Sequence, residues 1–147
     1  MKKIKVIYPD ESSKEFPSGV TPLEIAKDIS NSLAKKIICS KINDELYDIN
    51  RPIESNCNFK LFTENDLESQ DVLLHSTAHL MAQAIKELFP SSKIAIGPAL
   101  KDRFYYDIDL DEKINEETLV VIERKMHEIS KRNYEVKRYE YSVKEAK

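Results

Sequence analysis

The chain has 147 residues, of which 41 % are hydrophobic and 33 % charged, and its net charge is −3. That length leaves room for one medium domain or two small ones, and the charge argues against a strongly basic nucleic-acid clamp without excluding a local patch. No apolar run approaches the roughly 20 residues a bilayer crossing needs, no basic segment leading into an apolar one opens the chain, and the only glycines, Gly19 and Gly97, cannot build a Gly-rich phosphate loop.

A cytoplasmic protein with no membrane segment is therefore expected. Cys39 and Cys57 stand alone, without CxxC spacing, and read as reduced, partly buried thiols.

In chain order, Lys3–Tyr8 alternates apolar and polar residues, the period of a half-buried strand. A turn at Pro9-Asp10-Glu11-Ser12 leads to a short returning strand at Lys14–Phe16. Thr21, Pro22 and Glu24 then announce a helix as N-cap, first helical residue and capping-box partner, with Val20 and Ile25 spaced as a hydrophobic staple. Ile25, Ala26, Ile29 and Leu33 give that helix a face to lay on the hairpin. Ile37–Ile42 and Phe59–Phe62 read as two further strands, joined by a polar stretch containing Asn43-Asp44 and Arg51-Pro52. Hairpin, crossing helix, then more strands is the order of a β-grasp module over residues 1–62. The polar residues 63–70 read as a linker.

Residues 71–90 carry the strongest chemical signal. Leu74, Ala78, Met81, Ile85 and Leu88 repeat at alternating four and three, so they form one buried helical stripe that Pro90 ends. His75 and His79 are four apart and project from one face beside that stripe. Strands at Lys93–Ile96 and Phe104–Ile108 follow, with turn chemistry at Gly97-Pro98 and Lys101-Asp102 between them. Asn115 caps a second helix, whose stripe is Leu119, Ile122, Met126 and Ile129; Ile114 and Leu119 are spaced as a staple, and His127 falls off the stripe as a surface residue. Tyr134–Tyr141 is a last strand candidate. Ser142–Lys147 reads as the cap and first turn of a further helix, the pattern of a fragment.

Three readings fit the spacing of His75 and His79. They can be packed histidines at a helix boundary, or two ligands of a zinc site, although HExxH is absent and no Cys or His clusters nearby. They can also be imidazoles that position water and exchange protons near pH 7. Spacing alone leaves all three open.

The wording HSTAHLMAQAIKELFP, followed by KIAIGPALKDRFYYDID, resembles the start of the editing domain of bacterial threonyl-tRNA synthetases, and residues 1–62 are similar to the TGS domain that precedes it there. The resemblance runs over essentially the whole chain. It implies an α+β architecture: a TGS module at 1–62, a linker at 63–70, and the first half of an editing domain at 71–147. It implies post-transfer proofreading, in which serine is hydrolysed from mischarged threonine-specific tRNA. A threonine pocket rejects a side chain one methyl smaller by only about 1–3 kcal/mol.

Carried over by position, His75 and His79 are half of the hydrolytic centre, with no metal in it, and Gly97 and Tyr106 match segments lining the seryl pocket. The fragment itself is expected to hold no cofactor and to be inactive. ATP, magnesium, zinc and homodimer contacts belong to parts of the parent enzyme absent here. Arg103 stands where the family often has glycine, which costs roughly 1 kcal/mol if the turn needs positive φ. Two rivals remain: a non-catalytic TGS module with regulatory or RNA contacts, and a free-standing metal-dependent deacylase.

Overall fold

The computed structural model describes residues 2–97 and 100–146, arranged as two compact units: Met1–Thr77 with Pro98–Tyr105, and Ala78–Gly97 with Tyr106–Lys147. Pro98 of the expected Gly97-Pro98 turn and Lys147 of the expected final turn lie outside the described residues. The architecture is α+β.

The first unit opens with a hairpin of β1 (Lys3–Ile7) and β2 (Ser13–Pro17), in a register that sets Ile4 opposite Phe16. Asp10 closes the turn by accepting the Ser12 amide at 3.1 Å and its hydroxyl at 2.5 Å, and Glu11 takes the left-handed conformation, φ 65°. Helix α1 (Pro22–Ile29) begins with the capping box read from the sequence: the Thr21 hydroxyl accepts the Glu24 amide at 3.3 Å, and the Glu24 carboxylate accepts the Thr21 amide at 2.8 Å. Val20 packs against the core cluster that includes Ile25.

The expected four-residue stripe is interrupted, because Ser30 closes α1 and its hydroxyl caps a separate short helix, α2 (Asn31–Ala34). Ile25 and Ala26 are fully buried, whereas Ile29 is half exposed and Leu33 sits on α2.

Strand β3 (Ile37–Ile42) turns at once into β4 (Glu45–Tyr47), which lies within the stretch expected as a polar connection. Asn43 (φ 49°) and Asp44 (φ 67°) form the two-residue turn between them; paired positive φ there matches the twist of the flanking strands. Strand β5 (Cys57–Thr63) lies in the middle, parallel to β1 and antiparallel to β3, giving the sheet order β2-β1-β5-β3-β4. Ile4, Val6, Phe16, Ile25, Ile53, Cys57 and Phe59 fill the core under α1.

Phe62 and Cys39 alternate to the other face and are buried too. Helix α3 (Leu67–Leu88) brings a fully buried Ser69 to that face, its hydroxyl 3.7 Å from the Cys39 sulfur, and Glu68 pairs with Lys41 at 3.4 Å. The helix thus starts before residue 71, and residues 67–70 of the expected linker are its first turn. Asp66 secures the entry, accepting the Thr63 amide at 2.6 Å and hydroxyl at 2.9 Å.

The second unit has its own core. Ala84 and Ile85 of α3 meet Ile122 and Ile129 of α4 (Glu116–Lys131), and Met81, Leu88, Ile94, Ile108 and Met126 pack around them. Beyond the end of α3, Lys86 satisfies the carbonyls of Pro90 at 3.1 Å and Ser92 at 2.7 Å. Asn115 caps α4 by accepting the Thr118 amide at 2.8 Å, and Asn133, φ 48°, ends it in the left-handed conformation.

Three expectations are corrected in this unit. The first strand shortens to β6 (Lys93–Ile94), and the second, expected at Phe104–Ile108, is β7 (Ile108–Asp109), sharing only Ile108 with that expectation. Leu119 lies in the first turn of α4 and is 56 % exposed, so the buried stripe runs only from Ile122 to Ile129 and Ile114 has no buried staple partner. Tyr134–Tyr141 forms no strand. Its Tyr134, Val136, Tyr139 and Tyr141 side chains are exposed and it pairs with no strand among the described residues; alternation alone makes no ladder. Ser142 then caps a single turn: its amide and hydroxyl both donate to Glu145, at 3.0 and 2.6 Å.

Candidate functional site

Helix α3 carries the histidine pair on 22 residues, a rod of about 33 Å. Its stripe packs as its period requires: Ala78 and Ile85 are buried, Leu74, Met81 and Leu88 half-buried. That packing turns the adjoining face outward, and both His75 and His79 are exposed on it, one turn apart. Thr77 donates its hydroxyl to the Leu73 carbonyl at 2.7 Å, which leaves the imidazoles as the longer polar groups of that turn.

His75 borders an open cleft of about 590 Å³, shared with Leu46, Asp71, Val72, Ser76, Leu100 and Lys101. Sequence reasoning passed over Asp71, although it lies one helical turn before His75 as His79 lies one turn after, an i, i+4 series readable from spacing. Two imidazoles on one exposed face can hold a water between polar partners. Among the described residues, no group of three or more His, Cys, Asp or Glu is disposed to hold a metal ion. His127 is exposed on α4, as its place off the stripe implied.

The structure places Gly97 and Tyr106 in direct contact. Beyond β6 and β7 the hairpin continues by two hydrogen bonds. The Ala95 amide donates to the Asp107 carbonyl and the Asp107 amide to the Ile96 carbonyl, both at 2.9 Å. Ala95 and Ile96 therefore oppose one residue, the pattern of a bulge, which shifts the register so that Gly97 faces Tyr106. A Cβ on Gly97 would lie 2.3–2.5 Å from three ring carbons of Tyr106. Gly97 is not in the left-handed region, so the glycine is required for close approach and not for its φ. Tyr106 itself is half-buried and lines an open cleft along the hairpin with Lys93, Ala95 and Asp107.

Arg103 is not among the residues with positive φ. The loop takes a shape an arginine adopts without left-handed strain, closed by the Leu100 amide donating to the Arg103 carbonyl at 2.6 Å.

An ion-pair network unseen in the sequence reading fastens α4 to α3 within the second unit. Arg132 holds Glu87 with two parallel hydrogen bonds of 2.8 and 2.9 Å and reaches Glu128 at 2.6 Å. Only its i, i+4 half, Glu128–Arg132, was visible as spacing. The Arg132 guanidinium, with help from Gln83, holds the Glu87 carboxyl below its ordinary range, and Lys125 and then Arg132 do the same for Glu128. Burial pushes both the Cys39 and Cys57 thiols up.

In comparison with known proteins, residues 4–63 match the TGS domain family. These residues form a TGS domain. Beyond the TGS domain the likeness continues over nearly the whole chain. It is 46 % identical over 97 % of its length to a threonine–tRNA ligase of Carboxydothermus hydrogenoformans. It is 45 % identical over 97 % to one of Geobacillus sp., and 43 % identical over 100 % to one of Staphylococcus carnosus. The chain spans 22–23 % of the length of these relatives. It is thus related to aminoacyl-tRNA synthetases, with the TGS domain leading into the helix that bears His75 and His79. No helix among the described residues is long and apolar enough to cross a membrane.

Proposed function

We propose that this chain is the N-terminal portion of a threonine–tRNA ligase, a TGS domain over residues 1–62 followed from residue 71 by the first part of a hydrolytic editing domain. The observation that carries the reading is the pair of exposed imidazoles, His75 and His79, one turn apart on α3, in a chain 40–46 % identical to threonine–tRNA ligases on both sides of that motif. The substrate at this site is threonine-specific tRNA carrying serine. One imidazole orients the attacking water or the terminal ribose hydroxyl, and proton transfer at neutral pH accompanies cleavage of the ester. The protein is cytoplasmic.

Joining threonine to tRNA with ATP belongs to the rest of the parent enzyme, as do the magnesium, the zinc and the dimer contacts. The 147-residue chain alone carries out neither that reaction nor efficient editing. In the full-length protein, replacing His75 or His79 by Ala slows deacylation of seryl-tRNA by about 10²-fold or more, while threonylation stays near its original rate. Equal loss of both activities would make the histidines structural and end the reading.

A further inference from the structure

The TGS domain carries an open cleft of about 350 Å³ that shares no residue with the one beside His75. We propose that it binds a free α-amino acid, whose ammonium meets the carboxylates of Glu11 and Asp44 and whose carboxylate meets the Lys60 ammonium. The site lies wholly within the TGS domain, so it does not depend on the editing role of the histidines.

Strand register builds the floor. Ile4 and Val6 of β1 are buried, so Ile7 turns to the opposite face of the sheet, where its partner on β5 is Asn58. Farther along that face Lys60 stands directly across from Lys41 of β3. Each of two turns brings a carboxylate to the rim: Glu11 follows β1 and Asp44 follows β3. Glu11 does so from left-handed backbone, φ 65°, which a glycine would occupy with less strain but without the carboxylate.

The charges of the cleft do not cancel one another. Like charges directly opposite on a sheet repel, and both ammonium groups lie near the Phe62 ring, 5.4 and 4.9 Å from its centroid. Glu68 relieves only one of them, pairing with Lys41 at 3.4 Å. Among the described residues Lys60 makes no ion pair, and neither do Glu11 and Asp44. A ligand that satisfies both signs must carry both. Two carboxylates oppose a phosphate-rich strand, and two lysines oppose a polyamine. Between the charges, Ile7 and the lysine stems offer apolar surface for a side chain, in a volume at the small end of ligand pockets.

The experiment is an NMR titration of the isotope-labelled 147-residue chain with the protein amino acids, one at a time. Concentrations reach about 10 mM, where the millimolar affinity open to so small a ligand is visible. Saturable shifts of the Ile7, Asn58 and Lys60 amides are expected with at least one amino acid. N-acetylating that amino acid, or replacing it by its decarboxylated amine, should weaken binding by about tenfold or more, and so should Asp44→Asn or Lys60→Gln in the protein. The two altered ligands test the charges without any change to the fold. No saturable shift with any amino acid overturns the proposal. Binding indifferent to the loss of either charge overturns it too, as does a cleft that takes up inorganic phosphate or spermidine and no amino acid.

Discussion

Glu11 illustrates how a single residue departs from what its position prefers. It holds φ 65° in the β1–β2 turn with no glycine's freedom. Glu11→Gly is expected to raise stability by about 0.5–1 kcal/mol, measured by urea unfolding, and an unchanged or lower midpoint would contradict the strain. At the opposite end of the hairpin the residue choice is well matched. Thr21→Ala removes the hydroxyl that accepts the Glu24 amide and should cost about 1 kcal/mol. That cap was legible because Thr-Pro-x-Glu encodes its own hydrogen bonds. The contact of Gly97 with Tyr106 was not, because a bulge sets it and nothing in the residue order announces a bulge.

Among elements, those with a run long enough to show a period were read correctly, and a three-residue strand and an unpaired alternation were not. β3 matches its apolar run residue for residue, and α3 keeps its stripe. β4 was missed because three residues, Glu45-Leu46-Tyr47, carry no period, although Asn43-Asp44 was the two-residue turn signal that places it. Tyr134–Tyr141 shows the converse, a strand-like alternation that stays unpaired.

The clasp between α3 and α4 makes a pH prediction. Glu87 and Glu128 have lowered pKa values in the folded protein, from an ordinary 4.5. Their stabilisation is therefore complete above about pH 4.5 and fades as the pH falls through the lower folded values. Arg132→Ala should flatten that acid limb while leaving its position near neutrality lower and level. Thermal melts between about pH 6 and 2 decide it, and an acid limb as steep as the original would refute the role of the clasp.

For the molecule as a whole, the sequence motif and the TGS fold were both legible, since HSTAH and the capping box are short-range patterns. The start of α3 was not, because Leu67–Gln70 read as polar and their place in the helix depends on what lies across the sheet. The outer face of the TGS sheet buries Phe62 and Cys39, and Ser69 of α3 is packed against Cys39. A chain of residues 1–77 should accordingly be more stable than one of residues 1–63 by about 2 kcal/mol, the scale of burying one large apolar side chain. Equal urea midpoints would place the TGS boundary at residue 63 after all. Both thiols lie in that unit, buried and with raised pKa values. A thiol-specific disulfide reagent at pH 8 should then modify neither until urea unfolds the unit.

The run from Tyr134 to Tyr141 has a practical corollary. Its three tyrosines, at 62–68 % exposure, sit on backbone that belongs to no helix or sheet, with Tyr139 and Tyr141 stacked on each other at 6.4 Å. A protease that cuts after aromatic residues meets an accessible, unladdered strand of chain here and folded, hydrogen-bonded backbone at Phe59 and Phe62. Brief chymotryptic digestion should trim this segment first and leave a resistant body that still carries α4.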